Sequence, residues 1–167
     1  MPSTAEERFM RQQGFAPEES ARLHWHFRAL LFQPWIVGPS VLVAVLFQSR
    51  VLFFVLAALL AWNTALPRFN PFERFYDWAI GRPRGLPKLE PAPAPRRFME
   101  GMAAMLMLAT GLALGVGWQS TAYVLQVFLV VAFPLLLAGK FCRGAYIYHV
   151  SHGRVGFANA TCPWSKS

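Results

Sequence analysis

Cysteine is nearly absent from this chain: Cys142 and Cys162 are the two among 167 residues. Two cysteines exclude a disulfide-rich scaffold and leave room for one bridge at most. Charge is scarce as well, at 14% of residues, where a typical soluble domain carries about 25%. The opening stretch MPSTAEERFMRQQGFAPEES holds four glutamates and no apolar run, so it does not read as a secretory signal peptide. Nor is there a phosphate-binding glycine loop, a HExxH helix or a hydrolase nucleophile elbow, which removes the best-marked signatures of nucleotide, zinc and serine chemistry.

Apolar residues fill the space left: 55% of the chain is hydrophobic. They concentrate in two long blocks, Ala29 to Leu66 and Phe98 to Phe141, each interrupted once by a short polar break. A bilayer core about 30 Å thick is crossed by ~20 mostly apolar residues in a helix. Each block therefore reads as two spans, near 29–48 and 51–66, then 98–116 and 121–141. The second is the shortest, rising about 24 Å at 1.5 Å per residue, and needs flanking residues or a locally thinner bilayer. Pro34 and the Gly38-Pro39 pair are positions where the first span could kink or restart.

The net charge of +8 raises the question of nucleic acid or membrane. Fifteen of the sixteen Lys and Arg residues lie in the N-terminal arm, in segment 68–97 or from Lys140 onward, the exception being Arg50. They flank the apolar blocks without forming an arginine-rich helix or an aromatic-basic alternation, so nucleic acid is not an expected partner. By the positive-inside rule, both termini and segment 68–97 face the cytoplasm. The expected location is a membrane crossed several times, with these segments on its cytoplasmic side.

Between the blocks stands NPFERFYDWAIGRPRG, residues 70–85. Asn70 suits an N-cap, Pro71 the first helical position, and Glu73 the carboxylate of a capping box. Phe72, Phe75, Tyr76, Ala79 and Ile80 repeat at helical spacing, with Glu73, Arg74 and Asp77 opposite. Gly81 and Pro83 are the expected stop. The spacing predicts an amphipathic helix over 70–81 lying in the inner interface. LPKLEPAPAP follows as an extended proline-rich connector, and Arg96 and Arg97 open the third span. The expected architecture is all-α: four transmembrane helices as two antiparallel hairpins, joined by the interfacial helix and the Pro-rich connector. The cytoplasmic arm is 1–28, the membrane domain 29–148 and the tail 149–167.

The run NPFERFYDWAIGRPRGLPKLEPAPAPRRFMEG, followed by two spans and GKFCRGAYIY, resembles a bacterial integral-membrane family known as domain of unknown function 4395. In that family a short Pro-led helix follows the second span, a Pro-Arg-Arg-Phe-like stretch begins the third, and a Cys marks the cytoplasmic end of the fourth. Asn70-Pro71, Pro91 to Phe98 and Phe141-Cys142 match these places, over roughly residues 28 to 148. Many relatives follow the Cys with a Pro-Ser pair or a second Cys. Here Arg143-Gly144-Ala145 stands instead, so a CxxC redox pair is absent. The resemblance implies an architecture and a place in the bacterial cytoplasmic (inner) membrane, multi-pass, and carries no activity.

Candidate chemistry is sparse. Cys142, flanked by Lys140 and Arg143, could be a stabilised thiolate, although cysteine also packs well as a small apolar residue. His149 and His152 are three apart, a spacing that puts metal ligands on one helical face, while His24 and His26 would diverge. No Asp, Glu, Lys, Arg or His falls inside the apolar cores apart from ends such as Glu100, which speaks against a pump or ion-coupled carrier. Asn63, Thr64, Thr110 and Gln126 are explained by interhelical hydrogen bonds. No cofactor is predicted. Gly111 and Gly115, four apart in GMAAMLMLATGLALGVG, form a small-residue row that permits close helix approach. Together these features favour a non-catalytic accessory or scaffolding protein. Its partners would be the lipid bilayer and other membrane subunits, with respiratory or photosynthetic complexes as candidate hosts. The docking residues would be Gly111, Gly115, Trp25, Phe72, Phe75 and Trp78. The alternative is a thiol-dependent redox or sulfur-handling membrane protein using Cys142.

Overall fold

The computed structural model describes residues 5–15, 20–86 and 91–162, without the side chains of 20–23. Part of the proline-rich connector and the end of the tail lie outside the described residues. In chain order the helices are α1 (Ala5–Gln12), α2 (Ser20–Leu46), α3 (Arg50–Ala65), α4 (Pro71–Tyr76), α5 (Ala94–Gly115), α6 (Gln119–Leu137), α7 (Arg143–Ser151) and α8 (Val155–Ala160). The described residues contain no strand.

Three helical stretches are long and apolar enough to cross a membrane: His24–Leu46 within α2, all of α5 and all of α6. At sixteen residues α3 falls short alone and qualifies only together with Pro67–Arg84, from which it is bent by 120°. The chain therefore has three candidate spans, or four with the bent pair counted as one. α3 lies along α5, which also packs on α6 and α7, while α2 packs on α6, α3 and α4. Val41 and Ala44 from α2, Phe53 and Leu60 from α3, Met107 from α5 and Leu129 from α6 make the shared core. The outer faces stay apolar: Leu46 is 80% exposed, Met105 66% and Val127 62%. Water would penalise so large an exposed apolar area, whereas hydrocarbon would not.

Several boundaries move from their expected places. α2 runs unbroken through Pro34 and Pro39. α5 starts at Ala94, ahead of the expected 98, because Pro93 supplies an extended N-cap and Pro95 sits in the first turn, where a missing N–H costs nothing. α6 ends at Leu137, short of the expected 141, and the chain turns through Lys140 at φ +47 before α7 begins. α7 then crosses the expected boundary at 148.

The segment after α3 begins as its sequence predicts. The Asn70 side chain accepts from the N–H groups of Phe72 and Glu73, at 3.0 and 3.4 Å. Its end differs. Past Tyr76 the coil widens into a π turn over Asp77–Gly81, with the Arg82 N–H reaching back to the Asp77 carbonyl. This carries the chain past Pro83, which has no N–H to offer, and a tight turn follows over Arg82–Arg84. Gly85, at φ +64, is the actual stop. Its N–H bonds Arg82 O and the Leu86 N–H bonds Gly81 O, both at 3.1 Å, the paired closure that a left-handed residue completes.

The N-terminal arm is not a free extension. Phe9, Met10 and Phe15 are buried with Phe27, Leu30 and Leu136, contacts worth about 1.5–3 kcal/mol for each large side chain removed from water.

Candidate functional site

At the end of the bundle where α1, α4 and α5 meet, three ionisable side chains are enclosed together. Arg96 and Glu100 stand four apart on α5, so they share a face, and Arg96 Nε donates to Glu100 Oε1 at 3.3 Å. Arg96 Nη2 lies 3.2 Å from Glu73 Oε1, on α4, and Nη1 reaches Gln13 Oε1 at 3.5 Å. Arg96 and Glu100 are each 2% exposed and Glu73 8%. Beside them the Asn70 amide donates to Gln33 Oε1 at 3.1 Å.

Enclosing ions costs several kcal/mol each unless partners replace water. At Glu73 the imbalance is visible: burial holds its carboxyl above the ordinary value, the Arg96 charge offsets part of that, and the Glu100 charge adds to it. The capping-box role expected of Glu73 is thus replaced by an ion pair across helices. Arg96, expected as an interfacial anchor, is an interior residue, while the exposed Arg97 donates to the Thr64 carbonyl at 2.9 Å, near the C-terminus of α3. The Arg96–Glu100 spacing was the available signal, and the Pro91–Pro95 stretch before it obscured the early helix start.

Glu100 also lines a cavity of about 360 Å³ bounded by α2, α3, α5, α6 and the start of α7. The walls are almost wholly apolar, with Leu106, Phe128, Ala132 and Phe133 among them, and the polar groups Glu100, Gln33, Cys142 and Arg143 collect at one end. Glu100 Oε2 is buried there without a hydrogen-bond partner, with the Gln33 amide beside the carboxyl.

Cys142 is 1% exposed and serves as the N-cap of α7, its Sγ accepting from the Ala145 N–H at 3.4 Å. Its backbone N–H donates to Gln12 Oε1 at 3.0 Å, and its thiol points at Met99 Sδ. Burial pushes the thiol up to about 11, with the Ala145 and Gly144 N–H groups and Arg96 pulling weakly the other way. The flanking Lys140 and Arg143 therefore do not make a thiolate. Cys142 and Cys162 are both free.

His149 and His152 are not brought together. His149 is 3% exposed with Nε2 on Gln12 O at 2.9 Å, while exposed His152, the C-cap of α7, stacks on Tyr148 with ring centroids 4.1 Å apart. His24 approaches Glu6 at 3.2 Å and His26 packs edge-on to Phe15. Among the described residues no group of three His, Cys, Asp or Glu could hold a metal ion. Gln126 on α6 and Gln48 pair reciprocally at 3.0 and 3.1 Å. Gln48 stands in the turn between α2 and α3, so this ties a helix to a turn where a bond between helices was expected. Thr110 bonds its own helix at Leu106 O, and the buried Asn63 amide has no partner among the described residues.

The six docking candidates divide. Trp25 is 9% exposed and stacked on Tyr76 at 4.8 Å. Gly111 is buried where a Cβ would stand 2.8 Å from the Phe54 ring, and Phe72 packs against the main core. Phe75 and Trp78 are 55% and 63% exposed, and a Cβ on Gly115 would meet nothing within 4 Å.

Fold and site together define an all-helical bundle with three to four candidate membrane spans, pinned at one end by enclosed charges. Over residues 27–152 the chain matches the family described as domain of unknown function (DUF4395), and it belongs to that family. No curated protein and no solved structure matches it.

Proposed function

We propose that this protein is a non-catalytic accessory subunit of a larger membrane assembly in the bacterial inner membrane. It would cross four times as two hairpins, with α3 as the second span, segment 67–84 in the inner interface and both termini in the cytoplasm. The observation that carries the reading is the use of the enclosed charges. Arg96, Glu73 and Glu100 join α5 to α4, and Arg96 and His149 each hold the N-terminal arm. These are ties within one bundle, not a reacting constellation. The surfaces left for a partner helix are the open end of the small-residue row at Gly115 and the aromatic pair Phe75 and Trp78, whose rings lie 6.0 Å apart. A thiol-redox role would have to act through an enclosed, protonated Cys142, and no observation favours it.

Purification in mild detergent, cross-linking and mass spectrometry test the proposal, with Gly115→Leu and Trp78→Ala as variants. The expected result is a stoichiometric membrane partner that cross-links near 115 and 78 and is lost from both variants while their melting temperatures match wild type. A monodisperse lone monomer, or a partner indifferent to both substitutions, overturns it.

A further inference from the structure

The cavity beside Glu100 asks for an occupant. Its volume of about 360 Å³ falls in the range of small-molecule sites, which are mostly apolar with a few placed polar groups. One end offers Glu100 Oε2, a buried carboxyl oxygen that closes no well-formed hydrogen bond, with the Gln33 amide beside the carboxyl as its weak partner. Leaving such an acceptor without a well-formed hydrogen bond is costly. The opposite reaches of the wall, at Leu106, Phe128 and Phe133, offer only carbon.

We propose that this cavity binds a neutral amphiphile, an alkyl or isoprenoid-like body with a hydroxyl head, whose O–H donates to Glu100 Oε2. Arg96 Nε is already 3.3 Å from Glu100 Oε1, so that oxygen has its partner, and a hydroxyl would supply a donor at Oε2 without adding a net charge. The head needs no reaction, since Cys142 at the same end keeps its proton and faces Met99 Sδ. The proposal goes beyond accessory docking and does not require a partner protein.

The full chain in lipid nanodiscs is irradiated with a long-chain alcohol carrying a diazirine in its tail, and the labelled peptides are mapped. Label is expected on 102–106 and 128–133, with n-dodecanol competing at least about tenfold better than dodecyl methyl ether, which accepts but cannot donate. Glu100→Gln should erase the preference for alcohol over ether, and Ala132→Trp, which fills the cavity from α6, should remove the label without lowering the melting temperature. Equal competition by alcohol and ether in the wild-type protein overturns the proposal, and so does label spread evenly onto outward residues such as Leu112 and Val124. Both readouts use wild type, so a Glu100 variant that fails to fold does not shelter the idea. Loss of the accessory partner, or its absence, leaves these labelling results unchanged, which separates the two proposals.

Discussion

Cys142 illustrates how one residue changes meaning with its surroundings. In the sequence it stands between Lys140 and Arg143, as a reactive thiol would. In the fold the side chain faces inward, caps α7 and touches Met99, so burial dominates and the thiol is pushed up to about 11. Its ionised fraction at neutral pH is then about a hundredfold below that of a thiol at 9. Cys142 is expected to react with a soluble maleimide at least about a hundredfold more slowly than a free cysteine, accelerating once the protein is unfolded. Rapid labelling of the folded chain, followed by mass spectrometry, would show an accessible thiolate instead. The same lesson holds at Trp25 and Gly111, which look like docking residues in a list of aromatics and glycines. Each is instead occupied by a neighbour within the chain, Tyr76 and Phe54 respectively.

At the scale of the element, the segment from Asn70 to Gly85 shows what a sequence can and cannot disclose. Its cap, its first turn and its helical rhythm were legible, because they depend on residues within one or two turns. The inward turn of Glu73 was not, because its cause is Arg96 on another helix. That pair makes a pH prediction. With its carboxyl held above the ordinary value of 4.5, Glu73 contributes stability that is fully present below that value. The contribution is lost as pH rises through the raised one, since the unfolded chain releases the proton first. Glu73→Gln keeps the shape and removes the titration. Its melting temperature in detergent, relative to wild type, is expected to climb as the pH rises above 4.5 and through the raised value. A relative fall over that window would mean Arg96 dominates and holds the carboxylate ionised.

At the scale of the whole molecule, the charged segments decide topology. If four spans are correct, tags at Ser3, Gly85 and Ser167 report from the cytoplasmic side of intact cells, and a tag in the turn at Gly117 reports from the other. A three-span chain, in which α3 enters and leaves by the same face, places Gly85 and Ser167 together on the side opposite Ser3. Accessibility labelling of single-cysteine variants at these positions separates the two. The 120° bend after α3 suits an interfacial helix, because a chain that leaves a short span must lie flat to keep Arg82 and Arg84 in water.

The sequence by itself determined the all-helical class, the apolar blocks and the limits of α3, α5 and α6 to within about four residues. By contrast, α2 starts well before the expected 29, and α1, α7 and α8 were not anticipated. Hydrophobic runs, prolines and caps act locally, and the cost of leaving backbone groups unpaired in hydrocarbon permits few alternatives. The enclosure of Arg96 with Glu73 and Glu100, the return of the N-terminal arm onto Cys142 and His149, and the cavity with its unmatched carboxylate oxygen were decided by tertiary structure alone. Each depends on side chains far apart in the chain, whose charges and volumes acquire their energy only when packing brings them together and removes the solvent between them.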